Sequence, residues 1–493
     1  MRDATGPSIT RRQLLRGAGA GAAGLAVTGT FGRLIVGALA SSPRPASAPL
    51  PPSFHTRPDL RIPALTVTRS EPGASTDPIF IAPYNAPNAQ AGAVIVAGDG
   101  QPIWENPLTD KVTTNFRVQS YRASPVLTWW EGEIELGHGV GEYVIADTSY
   151  STVRRVQAAH GLRGDLHEFV ITPRNTVLLT SYVVTTANLS SVGGSRHGSI
   201  QDAVFQEIDL ATGRVLLEWH SLDHIPPWES YAPVEANWDF FHINSVDVDQ
   251  DGGLLVSARS THTIYKIDRR SGAIVWRLGG KSSDFSMGPG SSFAWQHDAR
   301  RQPDGTLTVL DNGATPAVES LSRGLILDVD ERAMTASLLH QYTHPGVLAG
   351  SQGSVQLLAN GNVFVGWGEV PRVSEFDRSG RLLFDALLGK EYECYRAFRL
   401  PWRASPADAP AIALGKRGGD VTAYASWNGA TDVRDWQLLA GERDGALETV
   451  ARARAQGFES ALRSGSSGPY FAVRALDGWG RALGQSSTAA ISS

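Results

Sequence analysis

Residues 242–280 read HINSVDVDQDGGLLVSARSTHTIYKIDRRSGAIVWRLGG, and their punctuation decides the fold. INSVDV alternates apolar and polar residues, then stops at a turn rich in Asp and Gly. LLVSA, TIYKI and IVWRL follow, each bounded by turn residues. Short runs of β-branched and aromatic residues between such clusters read as strands, and the 3.6-residue period of a helical solenoid is absent. The unit is therefore four strands. Similar blocks begin at His167 (HEFVITPRNTVLLTSYV), Gln296 (QHDARRQPDGTLTVLDNG) and Gly353 (GSVQLLANGNVFVGWGEVPRVSEFDRSGRLLFDALLG). Their spacing suits propeller blades of roughly 40–50 residues with loop insertions. Two earlier blocks, around GAVIVAGDGQPIWENP and FRVQSYRASPVLTWWEGEI, bring the count to about six. The expected fold is all-β, with a six-bladed β-propeller over residues 66–405.

The flanks differ in composition. ITRRQLLRGAG carries Arg11 and Arg12 ahead of a Gly/Ala-rich apolar stretch, with small-residue cleavage candidates at Ala40 and Ala48. This reads as a twin-arginine export signal over residues 1–48, which include the start of a linker. Arg33 breaks the apolar run, so no stable membrane span is expected after processing. Gly19, Gly21 and Gly24 form a GxGxxG inside this segment, with no preceding strand to make it a nucleotide loop. Residues 49–65 continue as a Pro-rich linker. Residues 410–493 alternate apolar and polar positions around Trp427, Trp436 and YFAVRALDGWG, a pattern that resembles a fibronectin type III sandwich. That module is the expected contact for a cell-envelope partner, and the expected location is extracellular or envelope-associated.

With 42% hydrophobic residues, 19% charged residues and a formal net charge of -5, the chain is globular and carries no basic stripe, so no nucleic-acid partner is expected. Its single cysteine, Cys394, excludes an intrachain disulfide and a cysteine-based zinc site.

Histidines mark three block starts: His167 in DLHEF, His242 in FFHINS and His297 in WQHDAR. Inner strands of a propeller face one channel, so these imidazoles are expected to converge at its mouth. Such a cluster suits acid–base work or anion binding near neutral pH. A three-histidine zinc site has no spacing signature here, so neither metal nor cofactor is assigned. Arg323 and Arg259 are candidate holders of an oxyanion. Asp247, Asp249, Asp251 and Gly252 match the start of an EF-hand loop, but the twelfth position is Ala258, where calcium needs a bidentate Glu; a hairpin turn explains them better.

Across residues 240–315, FFHINSV, THTIYKID, IVWRLGGKSSDF, FAWQHDAR and TVLDNGA together resemble the bacterial arylsulfotransferase family, and looser similarity runs from about residue 58 to about residue 405. The resemblance implies sulfuryl transfer from a phenolic sulfate ester to a phenol without a nucleotide donor, by way of a sulfated histidine. It places His242 and His297 as supporting histidines and Arg323 as a sulfate-binding arginine. His167 or His297 would act as base or substitute nucleophile, and Asn244, Arg259, Tyr395 and Arg396 are the candidate substrate contacts. The family's nucleophilic histidine precedes Tyr-Arg-Ala, and here Cys394 stands before Tyr395-Arg396-Ala397. Two expectations follow. One is an exported arylsulfotransferase-like enzyme acting on a small aromatic or sulfated substrate; the other is a non-catalytic propeller that binds an anionic or aromatic ligand or a surface partner.

Overall fold

The structure, a computed structural model, describes residues 53–61, 65–85, 90–135, 137–417, 420–465 and 468–491. The export signal and the first part of the linker lie outside the described residues.

Six antiparallel sheets follow one another along the chain. From the inner strand outward, blade 2 is Val112–Tyr121, Ser124–Glu135, His138–Ala146 and Thr152–Val156. Blade 3 is Phe169–Ile171, Thr176–Ala187, Gly198–Asp209 and Val215–His220, and blade 4 is Ile243–Val248, Leu254–Ala258, Thr263–Ile267 and Ile274–Gly279. Blade 5 runs His297–Arg301, Leu307–Asp311, Arg323–Asp330 and Thr335–Tyr342, with the short Ser286–Met287 added in parallel at its outer edge.

The ring is closed from both chain ends. Phe398–Arg399 supplies the inner strand of blade 1, beside Ile79–Ile81, Ala91–Val96 and Pro102–Leu108. Thr66–Ser70 supplies a fifth, outer strand to blade 6, beyond Ser354–Leu357, Val363–Gly366, Arg372–Phe376 and Leu382–Leu387. Each blade touches the next, and blade 6 touches blade 1. The apolar core is correspondingly divided into six slices, one between each pair of neighbouring blades. A strand with a slice on either side is buried on both faces, as in Leu254–Ala258, where every residue is buried. Such strands read as continuous apolar runs rather than alternations.

Residues 411–490 form a separate two-sheet sandwich. Ala411–Arg417, Asp420–Ser426 and Glu459–Ser464 pack against a sheet built on Asp435–Arg443 and Tyr470–Leu476, around Trp436, Leu438, Phe471 and Val473. The sandwich is fixed to the propeller. Glu105 and Asn428 exchange two hydrogen bonds of 2.9 Å, and the Tyr150 hydroxyl donates to the Gly429 carbonyl at 2.8 Å. A Cβ at Gly429 would lie 2.3 Å from the Tyr150 ring, so only glycine admits this approach. The linker docks on the same sandwich: Phe54 meets Phe458 at 4.3 Å, His55 stacks on Tyr424 at 3.6 Å, and Thr56 donates twice to Glu459 at 2.7 and 2.6 Å. Among the described residues, no helix is long and apolar enough to cross a membrane.

The acidic DVDQDGG stretch is a hairpin turn whose cation is internal. Lys266 Nζ lies 3.1 Å from Asp249, 2.7 Å from Asp251 and 2.9 Å from Glu331.

Candidate active site

Closing the ring brings the inner-strand histidines together. The rings of His167 and His242 are 4.8 Å apart, edge to face, and His297 is 6.3 Å from His242. A fourth imidazole completes the group. His138 opens the third strand of blade 2, 5.3 Å from His242 and 5.8 Å from His167, and lies 3.7 Å from the Tyr182 ring.

Local backbone explains each placement. Phe240 and Phe241 are fully buried in the slice between blades 3 and 4, which anchors the chain just before His242. His242 then takes a left-handed φ of 57° and leads into a bulge between Ile243 and Ser245. A left-handed non-glycine residue costs on the order of 1–3 kcal/mol and marks functional sites more often than chance. His138 reaches the cluster because Gly139 lets blade 2 close on blade 3: a Cβ there would sit 2.4 Å from the Leu166 nitrogen and 2.6 Å from Trp130.

Two of the rings are braced by carboxylates. His167 Nδ1 pairs with Asp165 at 2.7 Å, and His242 Nδ1 pairs with Asp239. Asp165 is fully engaged, accepting also from the backbone of Gly139 at 2.6 Å and His167 at 3.0 Å and from the Thr180 hydroxyl at 2.9 Å. A carboxylate on Nδ1 fixes the tautomer and leaves Nε2 for chemistry. Neither Nε2 has a hydrogen-bond partner among the described residues. Burial, reinforced by His167 and His138, holds His242 down at about 4 against the pull of Asp239, so at neutral pH it is an uncharged base. Burial also works against charge on Asp239, but the surrounding imidazoles outweigh it and keep that carboxyl well below its usual range. His138 shows the same contest with the opposite sign: burial disfavours its cation, yet Asp239 and Asp165 raise it.

Several residues singled out from sequence have other work. His297 is near the cluster, but both its nitrogens are committed. Nδ1 donates to Asn312 Oδ1 at 2.7 Å, and Nε2 accepts from the Gln352 backbone at 3.2 Å. It is a neutral structural tie between blades 5 and 6, which removes it as base or nucleophile. Arg323 pairs with Asp311 and donates to the carbonyls of Gly290 at 3.3 Å and Ser292 at 2.9 Å, so its guanidinium is spent inside blade 5. Arg259, whose backbone donates to the His242 carbonyl at 2.9 Å, lies over Trp295 at 4.8 Å and donates to Gly350 O at 3.0 Å. After burial, its charge is the chief cause that holds His297 down.

The CYRA run is corrected most sharply. Cys394 packs in the apolar slice between blades 6 and 1 with Ile79, Ile81 and Val94. Its thiol donates to the Arg396 carbonyl at 3.1 Å, and burial pushes it up to about 12. A buried thiol in apolar surroundings is inert, so Cys394 is no nucleophile. The native protein is expected to resist a thiol reagent and to label once after denaturation; rapid labelling of folded protein would contradict this placement. Tyr395 and Arg396 are also buried, and the Tyr395 ring lies 5.5 Å from that of His167. The Tyr395 hydroxyl donates to Asn244 O at 3.1 Å, and Arg396 donates to Asn244 O at 2.6 Å, Asn115 Oδ1 at 3.1 Å and Glu168 at 3.1 Å. Asn244 is fully buried and spends its amide on Gln296 O at 2.6 Å. Together with Arg117, Arg300 and Asp298, these groups plug the channel with a buried ionic network.

Sequence reading missed His138, Asp165, Asp239 and Tyr182. Asp165 and Asp239 had a local signal, lying two and three residues before their histidines in DLHEF and DFFH. His138 had only its glycine flanks, GHGVG. Two residue sets bring one ligand atom each to within 4.8 Å of the others, as a metal site requires: His138, Asp239 and His242, and His138, Asp165 and His167.

Solved structures similar to the chain are distant. A Bacteroides caccae protein of unknown function is 12% identical, covering 66% of this chain and 98% of its own, with a TM-score of 0.41. A catalytically inactive virginiamycin B lyase from Staphylococcus aureus, solved with quinupristin, is 9% identical over 74% of this chain and 96% of its own, at 0.35. Regucalcin from Agrobacterium tumefaciens, a calcium-binding protein, is 16% identical over 59% and 78%, at 0.32. No curated protein matches the sequence. The profile of the arylsulfotransferase (ASST) family matches residues 117–389, from the inner strand of blade 2 to the end of blade 6 and more than half of the chain, so this protein belongs to the arylsulfotransferase family.

Proposed function

We propose that the protein transfers a sulfuryl group from a phenolic sulfate ester to a phenol through a histidine intermediate, and that it does so outside the cytoplasm after export by the twin-arginine route. One observation carries the transfer reading: two aspartate-braced imidazoles face each other at 4.8 Å with both Nε2 atoms unbonded. His242 is the nucleophile: its Nε2 is unbonded, Asp239 holds its Nδ1, and burial keeps the ring neutral. Its Nε2 attacks sulfur, the S–O bond to the aryl group breaks, and the departing phenolate takes the Nε2 proton of a His167 that enters the step doubly protonated, its Nδ1–H held by Asp165. The acceptor phenol then returns a proton to His167 as its oxygen attacks the N-sulfonate and frees His242. Splitting one displacement into two through a nucleophile is what such a pair is suited to. Arg259 and Trp295, next to the cluster, offer a cation for the sulfonate oxygens and an aromatic face for the ring.

This reading moves the nucleophile away from the CYRA run. The non-catalytic alternative drew its motive from a cysteine at that position, and the burial of Cys394 leaves that motive standing, so turnover is what separates the two readings. The test is mass spectrometry after brief exposure to an aryl sulfate. A sulfuryl adduct of roughly 80 Da, the mass of the transferred group in such covalent catalysis, is expected on the peptide that contains His242. Absence of any adduct and of turnover across a panel of aryl sulfates would overturn the proposal.

A further inference from the structure

The hydrogen bonds at the channel mouth are unevenly shared. Asp165 has partners on both oxygens. Asp239 does not: Oδ2 serves His242, whereas Oδ1 is buried with no hydrogen-bond partner. His138 is 5% exposed; its Nδ1 has no hydrogen-bond partner, and its Nε2 has only a long contact of 3.3 Å to Asp239 Oδ2. Buried polar atoms without partners are rare in folded proteins, and an ion is one of the few things that accounts for them. His138 and Asp239 are neighbours, and both lie against His242.

We infer that His138, Asp239 and His242 form a binding site for a divalent transition-metal ion of the zinc class. His138 Nε2 lies 3.3 Å from Asp239 Oδ2. Bonds of about 2.0–2.1 Å to a tetrahedral ion set neighbouring ligand atoms about 3.3–3.4 Å apart, so this pair already spans one edge of such a polyhedron. One ligand atom from each of the three residues falls within 4.8 Å of the other two. Two imidazoles and one carboxylate suit zinc or cobalt, whereas calcium and magnesium prefer all-oxygen shells. Three protein ligands leave a fourth position open, as in catalytic rather than structural zinc sites. His242 joins through Nδ1, and the proton that this atom shares with Asp239 moves to Nε2, so that the ligand is a neutral imidazole whose Nε2 no longer serves as a nucleophile. His167 stays outside the site because its own carboxylate is saturated.

The ion and the sulfuryl group would compete for His242, so the two readings are tested separately. Full-length protein is stripped with chelator, dialysed and titrated with Zn²⁺ by calorimetry and with Co²⁺ by visible absorption. One ion per chain is expected, with the intense cobalt bands of a four-coordinate site. His138→Ala and Asp239→Asn should each weaken Zn²⁺ binding by ~100-fold or more, about the upper end of what even outer-shell partners cost. His160→Ala, at an exposed histidine paired only with Glu218, should not change it. Circular dichroism confirms folding, and His138→Gln replaces the alanine variant if that one fails to fold. No saturable binding by the wild type, or wild-type affinity in a folded His138 or Asp239 variant, overturns the site. An adduct on stripped protein without metal binding would sink the metal site alone; metal binding without an adduct would sink the transfer reading alone.

Discussion

Replacing His242 with alanine is expected to lower kcat for aryl sulfate turnover by ~10²–10⁴-fold, the range in which loss of a positioned acid–base or nucleophilic group acts, while KM changes little. Asp239→Asn should follow in the same direction, because the amide no longer holds Nδ1–H and Nε2 is not presented as the free base. The acid limb of the pH profile is the sharper readout. The reactive form is the neutral ring, and burial holds His242 at about 4. Activity is therefore expected to persist as pH falls through the ordinary histidine range and to be lost only as pH drops through about 4. A limb near 6.5, or full activity in His242→Ala, would show that this ring is not the nucleophile. His297→Ala tests the opposite role. Its nitrogens tie Asn312 to the Gln352 backbone, so its removal should lower thermal stability before it touches the chemical step.

The fold was readable because propeller strands announce themselves locally. INSVDV, LLVSA, TIYKI and IVWRL each end at a turn that Gly or Asp makes compulsory, and the structure pairs all four in that order. Convergence of His167 and His242 was readable for a related reason, since residues ahead of successive inner strands share one axis. His138 was not, because it enters from a third strand, and only the tertiary approach allowed by Gly139 brings it in. The parts given to Arg323, Tyr395 and Arg396 could not be read either. Whether a guanidinium faces a ligand or an internal carboxylate depends on partners from other blades, such as Asp311 for Arg323 and Glu168 for Arg396, and no local pattern specifies them. Closure had a similar blind spot. Phe398–Arg399 and Thr66–Ser70 complete sheets whose other strands lie at the opposite end of the chain.

Glu168→Ala should be the most destabilising single change at the centre of the ring. Glu168 is fully buried and meets Arg117 at 2.9 Å, Arg396 at 3.1 Å and Arg300. Without it, the buried Arg396 and the mostly buried Arg117 and Arg300 retain Asp298 and Asp247 as their nearby carboxylates. Removing one partner of a buried pair costs about 3–5 kcal/mol, because the remaining charge is left uncompensated. Burial alone would raise the Glu168 carboxyl, but Arg300, Arg396 and Arg117 hold it far below its usual range. A depressed carboxyl gives its full stabilisation above the unfolded-state value of about 4.3 and loses it progressively as pH falls below that. Wild type should therefore weaken in acid more steeply than Glu168→Ala, which has already lost the contribution at neutral pH. Chemical denaturation at pH 7 and at stepwise lower pH checks both statements. A variant within ~1 kcal/mol of wild type at pH 7, well short of that expectation, would mean that the arginines find adequate partners without Glu168.

The two-ended closure also bears on how the polypeptide matures. Ile79–Ile81 must wait for Phe398–Arg399, and Leu382–Leu387 must find Thr66–Ser70. A nascent chain therefore carries unpaired strand edges until nearly the whole propeller has left the ribosome, and such edges invite aggregation. Pairings this distant in sequence also form slowly. A holdase that shields those edges during synthesis would raise the yield of native protein, whereas any truncation short of residue 399 would leave the first sheet without its innermost strand.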